Sequence, residues 1–276
     1  MKRILLALGV IVFVGALAAG ATGAFFSDSE TSTGNTFTAG AIDLKVDSTQ
    51  HYDGLICTNG FWVLENDVVP SARPDLIGLA CTGTWALKDL NPTLDKFFNF
   101  SDVKPGDIGE NTISLHVDSN DAYACADITN IQNDENTLLT PEVNAGDTVG
   151  GPLGFGELGQ NLDFLIWSDN GASTNAGNNI WDADETIGTH VTGAAVASSS
   201  FTLADATTGP IPGASTRFLG LAWCAGTFTA GGPGVTPVCN GTSMGNIAQT
   251  DSYKADIALR VVQSRNNAAF RCSVPN

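Results

Sequence analysis

The sequence predicts an all-β fold, an antiparallel β-sandwich of jelly-roll type with long loop insertions and few short helices. Three observations lead there. Apolar and polar residues alternate with a period of two in several separate segments. Turn signals rich in Gly, Pro and Asp fall between those segments. Helical periodicity is scarce. Many short strands joined by such turns build two packed antiparallel layers.

The elements follow in chain order. Met1-Lys2-Arg3 is a basic start, Ile4 to Ala19 is an apolar run, and small residues follow to Ala24. Residues 1–24 therefore read as a secretory signal peptide, cut at Gly23, Ala24 and Phe25. The apolar run falls short of the roughly 20 residues that a membrane span needs, and its retention as an N-terminal anchor is the alternative. Residues 25–276 are expected to form one sandwich domain, whose first stretch, 25–35, is a free arm.

Ile42, Leu44 and Val46 alternate with Asp43, Lys45 and Asp47. Phe37, Ala39 and Ala41 lie on the opposite parity, so a bulge is expected at Gly40. Alternation is clean over 112–118 and 255–261. Leu162–Trp167 and Arg217–Trp223 are more apolar, as central strands are. Phe97–Phe100, 123–131 and 196–203 are further strand candidates. Lys104-Pro105-Gly106-Asp107, Pro210-Ile211-Pro212-Gly213 and Gly231-Gly232-Pro233-Gly234 are turns. Helical turns fit only 87–94, 138–143 and 183–186. Long insertions are expected near 48–95 and 132–160.

The formal net charge is −17, and losing Lys2 and Arg3 would make it more negative still. Such a surface repels nucleic acid and anionic lipid and favours cations. Only 15% of residues are charged and 43% are hydrophobic, which describes a folded chain rather than an acidic tail. The C-terminal run Arg271–Asn276 carries no apolar tail, so the processed protein is expected to be secreted, extracellular or in a cell-surface matrix.

Six cysteines remain after processing: Cys57, Cys81, Cys125, Cys224, Cys239 and Cys272. An even number in an exported chain reads as up to three disulfides. Many pairings are open in principle. Proximity favours Cys57–Cys81 and Cys224–Cys239, which leaves Cys125–Cys272.

Three stretches carry a family resemblance. They are Gly20 to Asp28 followed by Thr36 to Leu44, then Phe100 to Asp107 with the strand after it, and the late strand Tyr253 to Gln263. Together they resemble the TasA/camelysin family, whose leaders are removed by a SipW-type signal peptidase. The resemblance covers about a third of the chain and none of the cysteines. It implies a jelly-roll sandwich that polymerises into extracellular fibres or biofilm matrix, with the signal peptidase and further copies of itself as partners. Some family members carry a metallopeptidase label.

The residues suggest how assembly could work. Cleavage frees a Ser/Thr-rich arm with Phe25 and Phe26 at its tip and Phe37 farther on. An extended arm can add to an open sheet edge of the next subunit and bury its aromatics there. The alternative is that the same segment folds back as the chain's own first strand.

Other chemistry has weaker support. Asp169, Asn170, Asp182, Asp184 and Glu185 bracket a Gly/Asn-rich loop and are candidate calcium ligands, since calcium prefers oxygen donors. Their spacing is not that of an EF-hand, and a solvated acidic loop explains them equally. His51, His116 and His190 are the only histidines, and no H-E-x-x-H occurs. These histidines argue against an enzyme, and a camelysin-type metallopeptidase stands as an alternative only because the family resemblance implies it. A monomeric surface or carbohydrate-binding module, with Trp62, Trp85, Trp167, Trp181 and Trp223 lining a sugar face, is another. No small-molecule substrate and no catalytic residue can be named.

Overall fold

The computed structural model describes residues 27–31, 42–65, 71–118, 120–147, 156–171, 175–192, 198–229 and 237–275. Its strands are β1 (Ser27–Thr31), β2 (Leu44–Tyr52), β3 (Leu55–Thr58), β4 (Phe61–Leu64), β5 (Trp85–Lys88), β6 (Ile108–Val117) and β7 (Ala122–Asp134). The second half adds β8 (Leu162–Ser168), β9 (Thr186–Thr192), β10 (Ser199–Ala204), β11 (Ser215–Ala225), β12 (Thr227–Thr229), β13 (Val238–Asn240) and β14 (Ser252–Gln263). A single short α-helix, α1 (Thr140–Ala145), is described.

The strands form two antiparallel sheets and a small ribbon. One sheet runs β1-β14-β7-β10; the other runs β4-β3-β2-β6-β11-β8-β9, with β5 also on β2. Eight of these strands (β1, β6, β7, β8, β9, β10, β11 and β14) can be counted one to eight in chain order. The sheets then read 1-8-3-6 and 2-7-4-5. That is the jelly-roll order, made of two Greek keys. The sandwich expected from the alternation is therefore present, and β1 is its first strand.

The core lies where the strand faces meet. Along β2 every second residue is buried, from Leu44 to Tyr52. Leu44 and Val46 meet Ile113 and Leu115 of β6, Leu219 and Leu221 of β11, and Leu259 and Val261 of β14. Each such side chain contributes about 1.5–3 kcal/mol by leaving water. Small residues on β7, Ala122, Ala124 and Ala126, let the two layers approach.

Several local expectations change. The stretch 48–95 is not a loop insertion throughout: it begins inside β2 and supplies β3, β4 and β5, so it widens the second sheet. Phe97–Phe100 is irregular chain, not a strand; its aromatics are used as packing, with Phe97 buried and Phe98 and Phe100 half-buried. Residues 87–94 and 183–186 form turns and strand ends rather than helix. The helical turn near 138–143 exists as α1, ended by Gly146 at φ +100, a conformation only glycine adopts without strain. Gly40 and residues 148–155 of the second insertion lie outside the described residues.

All six cysteines are paired: Cys57–Cys81, Cys125–Cys272 and Cys224–Cys239. This is the pairing that proximity favours. The widest bridge closes 147 residues and clamps the C-terminal coil onto β7.

A buried ion pair fastens the widened sheet to the turn 104–107. Arg73, only 3% exposed, donates from Nη1 to Asp107 Oδ2 at 2.9 Å and to the Tyr52 hydroxyl at 2.5 Å. Tyr52 donates to the same carboxylate oxygen at 2.5 Å, and the Lys104 amide reaches it at 2.7 Å. Gly106, at φ +93, lets the turn close. Burial and the neighbouring Asp107 raise the pKa of Tyr52 well above its usual value.

Two stability predictions follow from these contacts. Replacing both Cys125 and Cys272 with Ala lowers unfolding free energy by about 2–5 kcal/mol, read from urea titration. Arg73→Ala strands the Asp107 carboxylate in the interior and costs about 3–5 kcal/mol in the same assay. An unchanged midpoint in either variant would contradict the corresponding role.

Candidate functional site

The feature with most consequence is the outer edge of β14. A sheet edge presents unpaired N–H and C=O groups that seek a partner. Here Ser27–Thr31 lies antiparallel on that edge, from Ser27 opposite Val262 to Thr31 opposite Ala258. The expected free arm is therefore not free in the single chain. Its central residues complete the chain's own jelly roll, because the edge is within reach and unpaired without them. Phe25, Phe26 and Phe37 lie outside the described residues, as do the processing residues Gly23 and Ala24.

This ladder is short. It covers β14 only from Ala258 to Val262, although β14 begins at Ser252. Among the described residues, no strand lies on the outer edge of Ser252–Ile257. The sequence of β1, Ser-Asp-Ser-Glu-Thr, has no large apolar residue to hold it by burial.

The sandwich is tight at one end and open at the other. The first six residues of β7 are buried, and the last seven are not. β14 runs the opposite way, so its partly exposed residues, Ser252 to Ala258, sit at the same open end. There the layers part around a cleft of about 1200 Å³. Phe98, Phe100, Phe164, Leu221, Tyr253 and Ile257 give it apolar walls. Lys96, Lys104 and Lys254, three of the chain's six lysines, lie along it. Sequence reasoning placed Phe97–Phe100 in a strand and so missed these aromatics as cleft lining; the run Phe-Phe-Asn-Phe just before a Pro-Gly turn was the available signal.

The loop proposed for calcium is held by its own hydrogen bonds. Asp169 is buried, and its two oxygens accept from the Gly177 and Asn179 amides at 2.9 and 3.2 Å. Glu185 accepts from the Gly171 and Asp182 amides at 2.9 and 3.0 Å. Asn170 bridges Ser168 and Phe218. Asp182 takes the Asn178 side chain, and Asp184 lies against Gly171. The five residues are neighbours, but the described carboxylate oxygens of Asp169 and Glu185 serve as acceptors for backbone amides. The arrangement is that of a loop cross-braced by its own side chains.

The histidines are apart. His51 bonds Glu110 at 3.1 Å, with Asn179 at 3.0 Å and Glu65 at 3.7 Å. His116 bonds Asp47 at 2.9 Å and Thr216 at 3.1 Å. Since His51 pairs with Glu110 and Lys45 with His116, the two rings are separated by six residues of ladder, or about 20 Å. The His190 side chain lies outside the described set. Trp62, Trp167, Trp181 and Trp223 are buried, and Trp85 packs on Phe97 at 5.1 Å, so these rings fill interior space rather than one exposed face.

Comparison with known proteins returned nothing: no family model, no curated protein and no solved structure matches this chain. Among the described residues, no helix is long and apolar enough to cross a membrane.

Several buried acids hold their protons tightly. Burial pushes Glu110 up to about 7, and it raises Asp169 and Glu185 as well. Burial works against a charged His51, but the Glu110 hydrogen bond and charge outweigh it and raise its pKa. All four bind protons more tightly folded than unfolded, so the stability they contribute is full at low pH and is lost as pH rises, for Glu110 through about 7. Asp75, Asp102 and Asp205 are shifted down, which matters only below the usual carboxylate range. The thermal midpoint in chelator should therefore fall between pH 5 and pH 8, and Glu110→Gln should flatten that fall. A midpoint that climbs over this range would contradict the assignment.

Proposed function

We propose that this chain is an exported structural protein that polymerises into extracellular fibres or biofilm-type matrix, each subunit completing its jelly roll with the N-terminal strand of the next. The observation that carries this reading is the position of β1: a terminal, polar, five-residue strand on the outer edge of β14. Its backbone ladder is worth on the order of a few kcal/mol, at about 0.5–1.5 kcal/mol per hydrogen bond. An identical strand from a second copy makes the same bonds, so exchange has little thermodynamic cost. Donor and acceptor surfaces differ, so a one-way donation is head-to-tail and builds a filament where its rotation does not close a ring.

The uncovered length of β14 supports the same reading. A donated strand that keeps the observed register sets residues 32–37 along Ile257 to Ser252, beside the cleft. Phe25 and Phe26 then fall beyond Val262, at the far end. In this arrangement the segment leading to Phe37, rather than the tip, enters the apolar cleft. The resemblance to the TasA/camelysin family points the same way, and the three disulfides suit an oxidising exterior.

A covalent trap tests exchange directly. Thr31 lies opposite Ala258, so the double variant Thr31→Cys, Ala258→Cys can bridge the ladder. Oxidised after assembly, it should run as a ladder of covalent oligomers on non-reducing gels, and a variant lacking residues 25–32 should form no filaments. Filaments whose trapped chains all run as monomers would sink strand exchange; the absence of filaments from correctly processed protein would sink the fibre reading itself.

A further inference from the structure

At the open end of the sandwich, five carboxylates from separate parts of the chain come together. Glu135 follows β7, Glu142 lies in α1, Asp147 follows α1, Glu157 precedes the turn into β8, and Asp251 precedes β14. Ligand oxygens of Glu135, Glu142 and Asp251 lie within 4.8 Å of one another, and so do those of Glu135, Asp147 and Glu157. Glu135 belongs to both groups.

Their hydrogen bonding separates a cation site from an ordinary acidic patch. One oxygen of Glu135 accepts from the Thr137 amide at 3.0 Å. One oxygen of Glu142 accepts from the Leu139 amide at 2.5 Å. One oxygen of Asp251 accepts from the Glu157 and Leu158 amides at 2.5 and 3.0 Å. The other oxygen of each is buried with no partner, and so is one oxygen each of Asp147 and Glu157. Glu142 is fully buried and Asp147 is 7% exposed. Among the described residues, none of the five forms an ion pair with Lys, Arg or His. A buried, unpartnered carboxylate oxygen is costly. Five such groups, three of them pinned on the far side, are economically neutralised by a shared cation.

We propose that these five residues form a calcium site that clasps the 132–160 insertion to the root of β14. The donor set is all oxygen, without His or Cys, which suits calcium or magnesium and not zinc. Calcium is favoured because it takes six to eight oxygens in flexible geometry, whereas magnesium retains its waters and so tolerates a crowded carboxylate cage poorly. Water completes the shell. Burial raises the pKa of Glu157 and Asp251 and pushes Glu135 up to about 7, as expected of acids kept together without their ion. Proton sharing is thus the competing way to neutralise the cluster. The site does not depend on strand exchange, so it stands or falls separately from the fibre reading.

The test uses the purified full-length processed protein stripped with EGTA. Calorimetric titration with calcium chloride should show saturable binding of at least one equivalent, and calcium should raise the thermal midpoint. Glu135→Gln should weaken that binding by at least about tenfold. In EGTA it should be no less stable than the parent, since it removes one repelling charge. Asp182→Asn, in the Trp181 loop, should leave the calcium response intact. No heat and no midpoint shift in the parent protein would overturn the site in favour of proton sharing. So would an unchanged response in Glu135→Gln, its loss in Asp182→Asn, or an equal response to magnesium.

Discussion

The outer edge of β14 is the constraint from which the rest of this structure follows. β14 is the last strand of the jelly roll and the neighbour of the first, so one of its two hydrogen-bonding edges has to be served by residues near the N-terminus. The chain meets that demand with five polar residues and leaves the other half of the edge uncovered among the described residues. At that uncovered half the two layers also fail to close, so a backbone vacancy and an apolar cleft coincide. Ordinary sandwiches protect such edges with bulges, charges or covering loops. In the proposed fibre, this half-paired edge and the groove beside it are where a neighbour's strand would lie.

Much of this architecture was readable beforehand because strands report themselves locally. Ile42 to Val46, Thr112 to Asp118 and Ala255 to Val261 alternate so regularly that their core faces are fixed by parity alone. The cysteines were readable because their spacing limits the economical pairings. The hairpin β3–β4 was not, because Asp53-Gly54 and Asn59-Gly60 are ordinary turn signals that look the same in a loop and in a widened sheet. Phe97–Phe100 misled because three aromatics in four residues resemble a strand, while their packing is decided by what lies across the sandwich.

The five carboxylates at the open end were illegible for a different reason. Calcium motifs are recognised when ligands sit at fixed offsets in one loop. Glu135, Glu142, Asp147, Glu157 and Asp251 span more than a hundred residues, and only the topology brings Asp251, at the start of β14, to the end of β7. The loop at 169–185 has the opposite character. Its acids are close in sequence and invite a metal reading, yet the oxygens of Asp169 and Glu185 accept from amides across the loop. Density of acidic residues is thus a poorer guide than whether each oxygen has a partner.

The bridge from Cys125 to Cys272 acquires a mechanical meaning in this light. In the proposed fibre, tension between subunits enters through β14 and must leave through its neighbour β7. The chain beyond β14 doubles back, stacks Phe270 on Tyr123 at 5.6 Å and is bonded near the start of β7. Pulling on β14 therefore loads a covalent loop as well as a hydrogen-bonded ladder, and the strand cannot be peeled away from its C-terminal end. Because donor and acceptor strands run antiparallel, that load acts along the ladder and strains its bonds together, as a cable splice does, instead of opening them one at a time.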